Sequence, residues 1–425
     1  MKMSEKFIPN SLGIAAICNR KGFSEWTHLY TKLLRMIERS LQSQVKPLLD
    51  FFPCLGILGP RQVGKTTFVK SIKSDLNGEL LYMDLENSRD AELLRTNAQW
   101  FLEQNADKLI IIDEIQRELS LFPVLRSIID QTNRPGQFII LGSASPELLS
   151  KSSETLAGRI VYKELTPLNS LELSEFELKQ HWFRGGYPKA FLAPNDEMWF
   201  EWHKAYLTTF IEMDLRSLTD FSSLANISRL LKMIASTQGS LLNYSLFSKS
   251  LGLSSNTVKN YIDLLEHSFV VRRLSPYYAN LGKRLVKSPK LYIRDSGILH
   301  SLLDLLSYDE LISHPISGNS WEGFIIEQIV SQLHSSCKAY FFRTQSGAEL
   351  DLCLVKGQKP VASIEIKLSN QPKLSRGNNQ SIMDLATNHN FLVVFDEANY
   401  SLNEDWHVVD LHHLMLKLRE LRLLQ

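Results

Sequence analysis

The stretch "LGILGPRQVGKTTFVK", residues 55–70, constrains this chain more than any other. An apolar run stops at Gly59, and Gly64-Lys65-Thr66 follows five residues later. A strand that ends in glycine and a helix that opens on Lys-Thr enclose a loop of free backbone amides. Such a loop wraps a phosphate, and the helix dipole favours the anion. The pattern gives Gly59, Pro60, Arg61, Gln62, Val63, Gly64, Lys65, Thr66 and Thr67 to nucleotide binding. Lys65 is expected to reach the β- and γ-phosphates, and the Thr66 hydroxyl to hold Mg²⁺. A glycine turn without a ligand is the competing account, and the flanking strand and helix speak against it.

An acid is expected at the end of a neighbouring buried strand, and "LIIIDE" supplies it. Asp113 would complete the Mg²⁺ shell, and Glu114 would orient and deprotonate the attacking water. In "FIILGSAS", Ser143 is placed to sense the γ-phosphate or the water. Arg159 in "LAGRI" is a candidate for stabilising transition-state charge, in its own subunit or a neighbour's. "GGYP" at 185–188 is expected to be a tight turn shaping the nucleotide edge. Each could instead be an ordinary strand end or turn.

The runs "CLGILG", "ELLYMDL", "KLIIIDE", "QFIILGSAS" and "RIVYKEL" read as strands, most of them separated by amphipathic helices. Near-continuous apolar strands alternating with helices imply a parallel sheet covered on both faces. The chain divides into a helical lead-in (1–50), this sheet (51–170), a helical stretch (171–225), a helical set followed by short basic strands (226–305), and a final part (306–425) that is β-rich after one helix.

In order and spacing, Gly59–Thr66, "IIIDEIQ", "LGSAS", "LAGR" and "GGYP" resemble the AAA-type P-loop ATPases of bacteria and archaea, in the branch with an uncharacterised C-terminal domain. The resemblance runs from about residue 40 almost to the end. It implies an α/β fold: an αβα P-loop core with a helical lid, ATP and Mg²⁺ as cofactors, and assembly into a homo-oligomeric ring or cluster. A second-sensor arginine in the lid is not defined by it, and Arg184 and Arg216 both fit.

"NYSLFSKSLGLSSNTVKNYIDLLEHSFVVRRL" reads as helix, Leu-Gly-Leu turn and second helix, the latter starting at Ser254 or Ser255 and ending near His267. With strands after it, this is a winged-helix arrangement. Asn256, Thr257, Lys259 and Asn260 are the exposed polar candidates for a DNA groove. From Arg272 to Arg294 there are seven basic residues and no acid: Arg272, Arg273, Lys283, Arg284, Lys287, Lys290 and Arg294. Tyr277, Tyr278 and Tyr292 lie among them. Cations with aromatics suit phosphate contact and base stacking. The alternative is a protein-binding module with a solvated hairpin.

In the last part, "GAELD" carries Asp351, and "SIEIKL" carries Glu365-x-Lys367 fourteen residues on. Residues two apart on a strand share a face, and a hairpin would bring Asp351 beside them. Glu322 and Glu327 lie on a helix upstream. This set resembles the PD-(D/E)xK fold of restriction enzymes and Holliday-junction resolvases, a restriction-endonuclease-like domain in which carboxylates hold one or two Mg²⁺ or Mn²⁺ ions. An exposed polar strand face, or a fold that binds without cutting, would show the same residues.

The net charge is +1, so any nucleic-acid or membrane attraction must come from a local patch. Four scattered cysteines, Cys18, Cys54, Cys337 and Cys353, lack metal or disulfide spacing and fit a reducing compartment. No apolar run reaches the ~18 residues of a membrane span, and "SLGIAAIC" makes a poor signal peptide. The expectation is a cytoplasmic Mg²⁺-dependent ATPase that acts on DNA, on branched or damaged duplex. Two rivals are a regulatory ATPase that binds protein partners and an ATP-gated endonuclease.

Overall fold

A strand with no polar face needs cover on both sides. The structure is a computed structural model and describes residues 37–76, 78–149, 156–174, 177–215, 224–278, 286–345, 347–369 and 373–425. The lead-in before residue 37 therefore lies outside the described residues. After α1 (Gln42–Leu49), strands and helices alternate: β1 (Cys54–Leu58), α2 (Lys65–Ser71), β2 (Leu80–Asp84), α3 (Ser88–Gln104), β3 (Leu109–Asp113), α4 (Leu121–Thr132), β4 (Phe138–Gly142) and β5 (Ile160–Glu164). The five strands form one parallel sheet in the order β2-β3-β4-β1-β5.

Every residue of β1, β3 and β4 is buried. Ile110 and Ile112 enter one core with Leu125, whereas Leu109 and Ile111 enter the other with Ile139. Successive residues point to opposite faces, so a five-residue apolar run feeds two cores. Each such side chain is worth about 1.5–3 kcal/mol when fully buried. Because the strands are parallel, their C-terminal ends, Leu58, Asp113, Gly142 and Glu164, share one edge of the sheet.

The rest of the chain begins with helices: α5 (Leu178–Arg184), α6 (Asp196–Thr209), α7 (Leu224–Ser236), α8 (Tyr244–Leu251) and α9 (Ser255–His267). Ser254 caps α9 by accepting from the Thr257 amide, and Gly252 turns the chain between α8 and α9. The antiparallel pair β6 (Val271–Leu274) and β7 (Lys290–Ile293) completes the winged helix. Next come α10 (Ser296–Leu302) and α11 (Ser317–Val330), then β8 (Cys337–Arg343), β9 (Glu349–Lys356), β10 (Lys359–Ile366), α12 (Arg376–Leu385), β11 (His389–Val393), β12 (Asn399–Ser401), β13 (His407–Val409) and α13 (Leu411–Glu420). These later strands make a second sheet, ordered β12-β13-β11-β10-β9-β8.

One hydrophobic cluster runs from α1 and a face of the first sheet through the middle helices to the second sheet. Trp182 on α5 packs 5.2 Å from Trp321 on α11 and 5.6 Å from Phe395, ring centre to ring centre. Its indole N–H donates to Ser320 Oγ at 3.0 Å. Among the described residues no helix is long and apolar enough to cross a membrane. Cys54, Cys337 and Cys353 are buried free thiols, and Cys18 lies outside the described residues.

Candidate functional site

The Gly59–Thr66 loop joins the end of β1 to the start of α2, on the edge where the strand ends gather. A Cβ at Gly59 would come within 2.2 Å of the Leu165 carbonyl oxygen, so no other residue fits there. Gly64 stands at the N-cap of α2 in the left-handed region, and Gln62 and Thr67 are exposed. Lys65 is 6% exposed, and its ammonium donates to the Gly59 and Pro60 carbonyls at 2.9 Å each. Val63 is buried, and its carbonyl accepts from the Arg39 guanidinium at 3.1 Å. Arg39 also donates to the Thr166 carbonyl and pairs with Glu172 at 3.1 Å. It braces the loop from behind. Sequence reasoning missed it, because its partners are backbone atoms far along the chain. Arg61 pairs with Glu86, which also takes Arg117 at 2.7 Å.

The Thr66 hydroxyl donates to Asp113 Oδ2 at 2.7 Å, and Tyr82 donates to the same oxygen. Burial first, and then the bond to Asp113, hold the Tyr82 phenol above its ordinary range. Asp113 is 4% exposed, and its Oδ1 accepts from the Glu114 amide at 2.9 Å. Glu114 itself sits in the left-handed region at φ 58°, which turns its carboxylate off the strand line. The Gln116 amide group links the next two residues. Its N–H₂ donates to Glu114 Oε2 and to Ser143 Oγ, the latter at 3.0 Å, and its oxygen accepts from the Ser143 amide at 3.3 Å. Gln116 thus ties Glu114 to Ser143. It lies inside "IIIDEIQ", and only its spacing from Glu114 could have drawn attention to it. The residues present fit MgATP: a buried ammonium in a glycine loop, and a hydroxyl already bonded to the carboxylate that would share a metal with it.

Arg159 lies immediately before β5, at the other edge of the sheet. A five-residue strand separates it from the strand ends beside the loop by roughly 16 Å, at ~3.3 Å per residue. This position sets Arg159 away from the phosphate loop of its own chain. Its guanidinium forks onto Asp130, with Nη2 to Oδ2 at 3.0 Å, and that hydrogen bond holds the Asp130 carboxyl below its usual range.

The "GGYP" turn does not line the phosphate loop. The Gly186 amide donates to Asp295 Oδ2 at 2.8 Å, and the Gly186 carbonyl accepts from Leu168 at 2.7 Å. Gly185 has φ 77°, and a Cβ on it would meet Asp295 Oδ1 at 2.3 Å. Asp295 in turn caps α10. The turn therefore ties the chain after β5 to the start of α10. Arg184 pairs with Asp196 at 2.7 Å, and Arg216 lies outside the described residues.

In the winged helix, Asn256, Lys259 and Asn260 are exposed on α9, and Thr257 is half-buried. The basic stretch differs from its sequence impression. Arg272 pairs with Glu327 at 2.7 Å, and Arg273 with Asp263 at 2.7 Å and with Glu266. Arg294 bridges Glu327, at 2.6 Å, and Glu164 at the end of β5. Tyr292 is 2% exposed and donates to Glu322 at 2.6 Å, so it cannot stack on a base. The stretch holds no acid of its own, but acids from α9, β5 and α11 neutralise it. Lys287 and Tyr278 remain exposed; Lys283 and Arg284 lie outside the described residues.

The C-terminal acids divide. Glu322, Asp351, Glu365 and Lys367 line one cleft of about 600 Å³, joined by Glu349, which sequence reasoning passed over. Glu327 is not among them, because Arg272 and Arg294 engage both its oxygens. Lys367 Nζ donates to Glu365 Oε1 at 2.5 Å, and the Ile366 amide donates to Asp351 Oδ2 at 3.0 Å. Burial, then the Asp351 charge, pushes the Glu365 carboxyl up to about 8. The same two causes raise Glu322. Lys290, from β7, enters the cleft and pairs with Glu322 at 2.9 Å, Glu349 at 3.3 Å and Asp351 at 3.6 Å. Burial opposes its charge, but these carboxylates outweigh it and hold the ammonium above its ordinary range. Among the described residues no group of His, Cys, Asp and Glu is arranged to hold a metal, which removes the support for the second Mg²⁺ or Mn²⁺ expected here.

The parallel sheet with its phosphate loop, Asp113 and Glu114 defines an AAA-type P-loop ATPase fold, and residues 52–174 match the AAA domain family. Residues 175–309 and 317–414 match two domains of unknown function, DUF8612 and DUF4143. The chain belongs to the same family as two uncharacterised mycobacterial proteins, from Mycobacterium bovis and Mycobacterium tuberculosis. Each is 36% identical over 366 residues, covering 86% of this chain and 82% of the relative. An uncharacterised protein of Methanocaldococcus jannaschii is 24% identical over 314 residues, covering 62% of this chain and 63% of that one. Among solved structures, the Walker-type ATPase of Pyrococcus abyssi aligns at a TM-score of 0.43 with 14% identity, over 63% of this chain and 96% of that one.

Proposed function

We propose that the protein is a cytoplasmic Mg²⁺-dependent ATPase that works on DNA as a homo-oligomer. In this reading residues 51–170 are the ATPase core, 171–225 the lid, 226–305 the winged helix and 306–425 the C-terminal domain. The observation that carries the ATPase is the Thr66–Asp113 hydrogen bond, 2.7 Å long, beside the buried Lys65. Lys65 and the loop amides from Gly59 to Thr67 bind the phosphates, and Thr66 and Asp113 hold Mg²⁺, which supplies charge neutralisation on the phosphate oxygens when bound. Glu114 takes the proton of the attacking water, and Gln116 and Ser143 hold that carboxylate in place. Arg159 serves the site of a neighbouring copy, after leaving Asp130.

The open polar face of α9, with Lys259 and Asn256, is the surface for duplex DNA, and Lys287, Lys283 and Arg284 add phosphate contacts. Arg272 and Arg273 serve the fold. The neutralised hairpin favours a second reading, in which the winged helix and the C-terminal domain bind a protein and the ATPase regulates it. Steady-state phosphate release with and without duplex, forked and four-way-junction DNA separates the two. DNA should raise the rate, and Lys259→Ala should weaken that response. No DNA binding and no change in rate would leave the protein-partner reading standing.

A further inference from the structure

Lys290 and Glu322 come from two different elements. β7 belongs to the winged-helix hairpin, and α11 packs beside the second sheet. The two elements share apolar packing and the Tyr292–Glu322 hydrogen bond, and two ionic contacts flank it. Lys290 pairs with Glu322 at one end, and Arg294 pairs with Glu327 at the other. The first contact puts an ammonium inside the cleft. Lys290 is 5% exposed, and three carboxylates lie within 3.6 Å of its nitrogen. Glu365 completes the set. It is 4% exposed, lines the same cleft, and its Oε2 has no hydrogen-bond partner of ordinary geometry, although the Asn378 amide faces it. A buried carboxylate oxygen left in that condition asks for a cation.

We infer that the Lys290 ammonium is the resident cation of this cleft and occupies the position a divalent ion would need, so the cleft takes no divalent metal while β7 is docked on α11. An ammonium satisfies carboxylates by hydrogen bonds near 2.9 Å, whereas Mg²⁺ or Mn²⁺ must draw oxygens in to about 2.1 Å. The two cannot share the site. Withdrawal of the Lys290 side chain would leave carboxylates from α11, β9 and β10 lining one cleft, hard oxygen donors that must still draw together to reach a divalent ion. The inference stands whether or not the P-loop hydrolyses ATP.

Mn²⁺ binding to the full chain without nucleotide tests it, with bound ion counted by electron paramagnetic resonance. The parent and Asp351→Asn should bind Mn²⁺ alike, because no ion in the parent depends on Asp351. Lys290→Arg, which keeps the cation, should match them. Lys290→Met should gain one Mn²⁺ per chain, and Lys290→Met/Asp351→Asn should lose that gain. Circular dichroism reports whether Lys290→Met is folded. If folded Lys290→Met gains no ion, Lys290 is not what excludes the metal and the inference fails. If the parent binds an ion that Asp351→Asn removes, it fails as well. The comparison of the parent with Asp351→Asn can still overturn the inference where Lys290→Met does not fold.

Discussion

Glu114 has a left-handed backbone and a carboxylate tied through Gln116 to Ser143, and in the proposed reading that carboxylate is the base. Glu114→Gln should keep ATP affinity while turnover falls ~10²–10⁴-fold, the usual weight of a positioned base. Equilibrium binding and phosphate release on one preparation would show it. Glu365 gives a prediction with a sign. Its folded pKa, about 8, lies above the ordinary carboxyl value of 4.5, so between these pH values the native state keeps a proton that the unfolded chain releases. Stability from this group is therefore present below pH ~4.5 and declines as pH rises to about 8. Glu365→Gln should flatten that decline in urea midpoints measured across the range; an unchanged slope would contradict the burial argument. Lys65, Thr66, Asp113 and Glu114 were legible in the sequence because local spacing sets their relation to one strand end. Lys290 was not. It reads as one more cation in a basic stretch, and only the chain fold brings Glu322, Glu349 and Asp351 to it.

At the scale of elements, β7 and α11 act as a two-rung ionic contact that reaches the first sheet through Glu164. Glu327 is the point where Arg272 and Arg294 converge, with 12% side-chain exposure. Glu327→Ala would leave Arg272 without its counter-ion and Arg294 with Glu164 alone. We expect a loss of about 3–5 kcal/mol, read from urea denaturation, against a change within roughly 0.5 kcal/mol for exposed Lys287→Ala. Equal, small effects in both would mean that water replaces the pairing. Strands β1, β3 and β4 and the α8–α9 pair were legible, since continuous apolar runs and the Ser254 cap are local signals. The character of the β6–β7 hairpin was not, because its counter-charges come from α9, β5 and α11.

At the scale of the whole molecule, one hydrophobic cluster and the Trp182–Trp321 contact join the middle helices to the C-terminal sheet, so these parts share a core. The sequence does not show that the parts share a core, since an apolar helix face does not name its partner. Arg159 belongs to this scale, because in the proposed reading it serves the site of a neighbouring copy. Arg159→Ala should cut turnover ~10³-fold and leave ATP affinity within a few-fold. Mixed with Lys65→Ala protein, it should regain part of the rate, because each variant supplies what the other lacks at one interface. A mixture no faster than its components would return Arg159 to a purely structural pairing with Asp130. The most direct measurement of the central claim is phosphate release from MgATP by the parent, Lys65→Ala and Glu114→Gln. The account predicts Mg²⁺-dependent turnover by the parent that both variants lose, with ATP binding kept by Glu114→Gln. No turnover by the parent, with or without DNA, or parental turnover by Glu114→Gln, would contradict it.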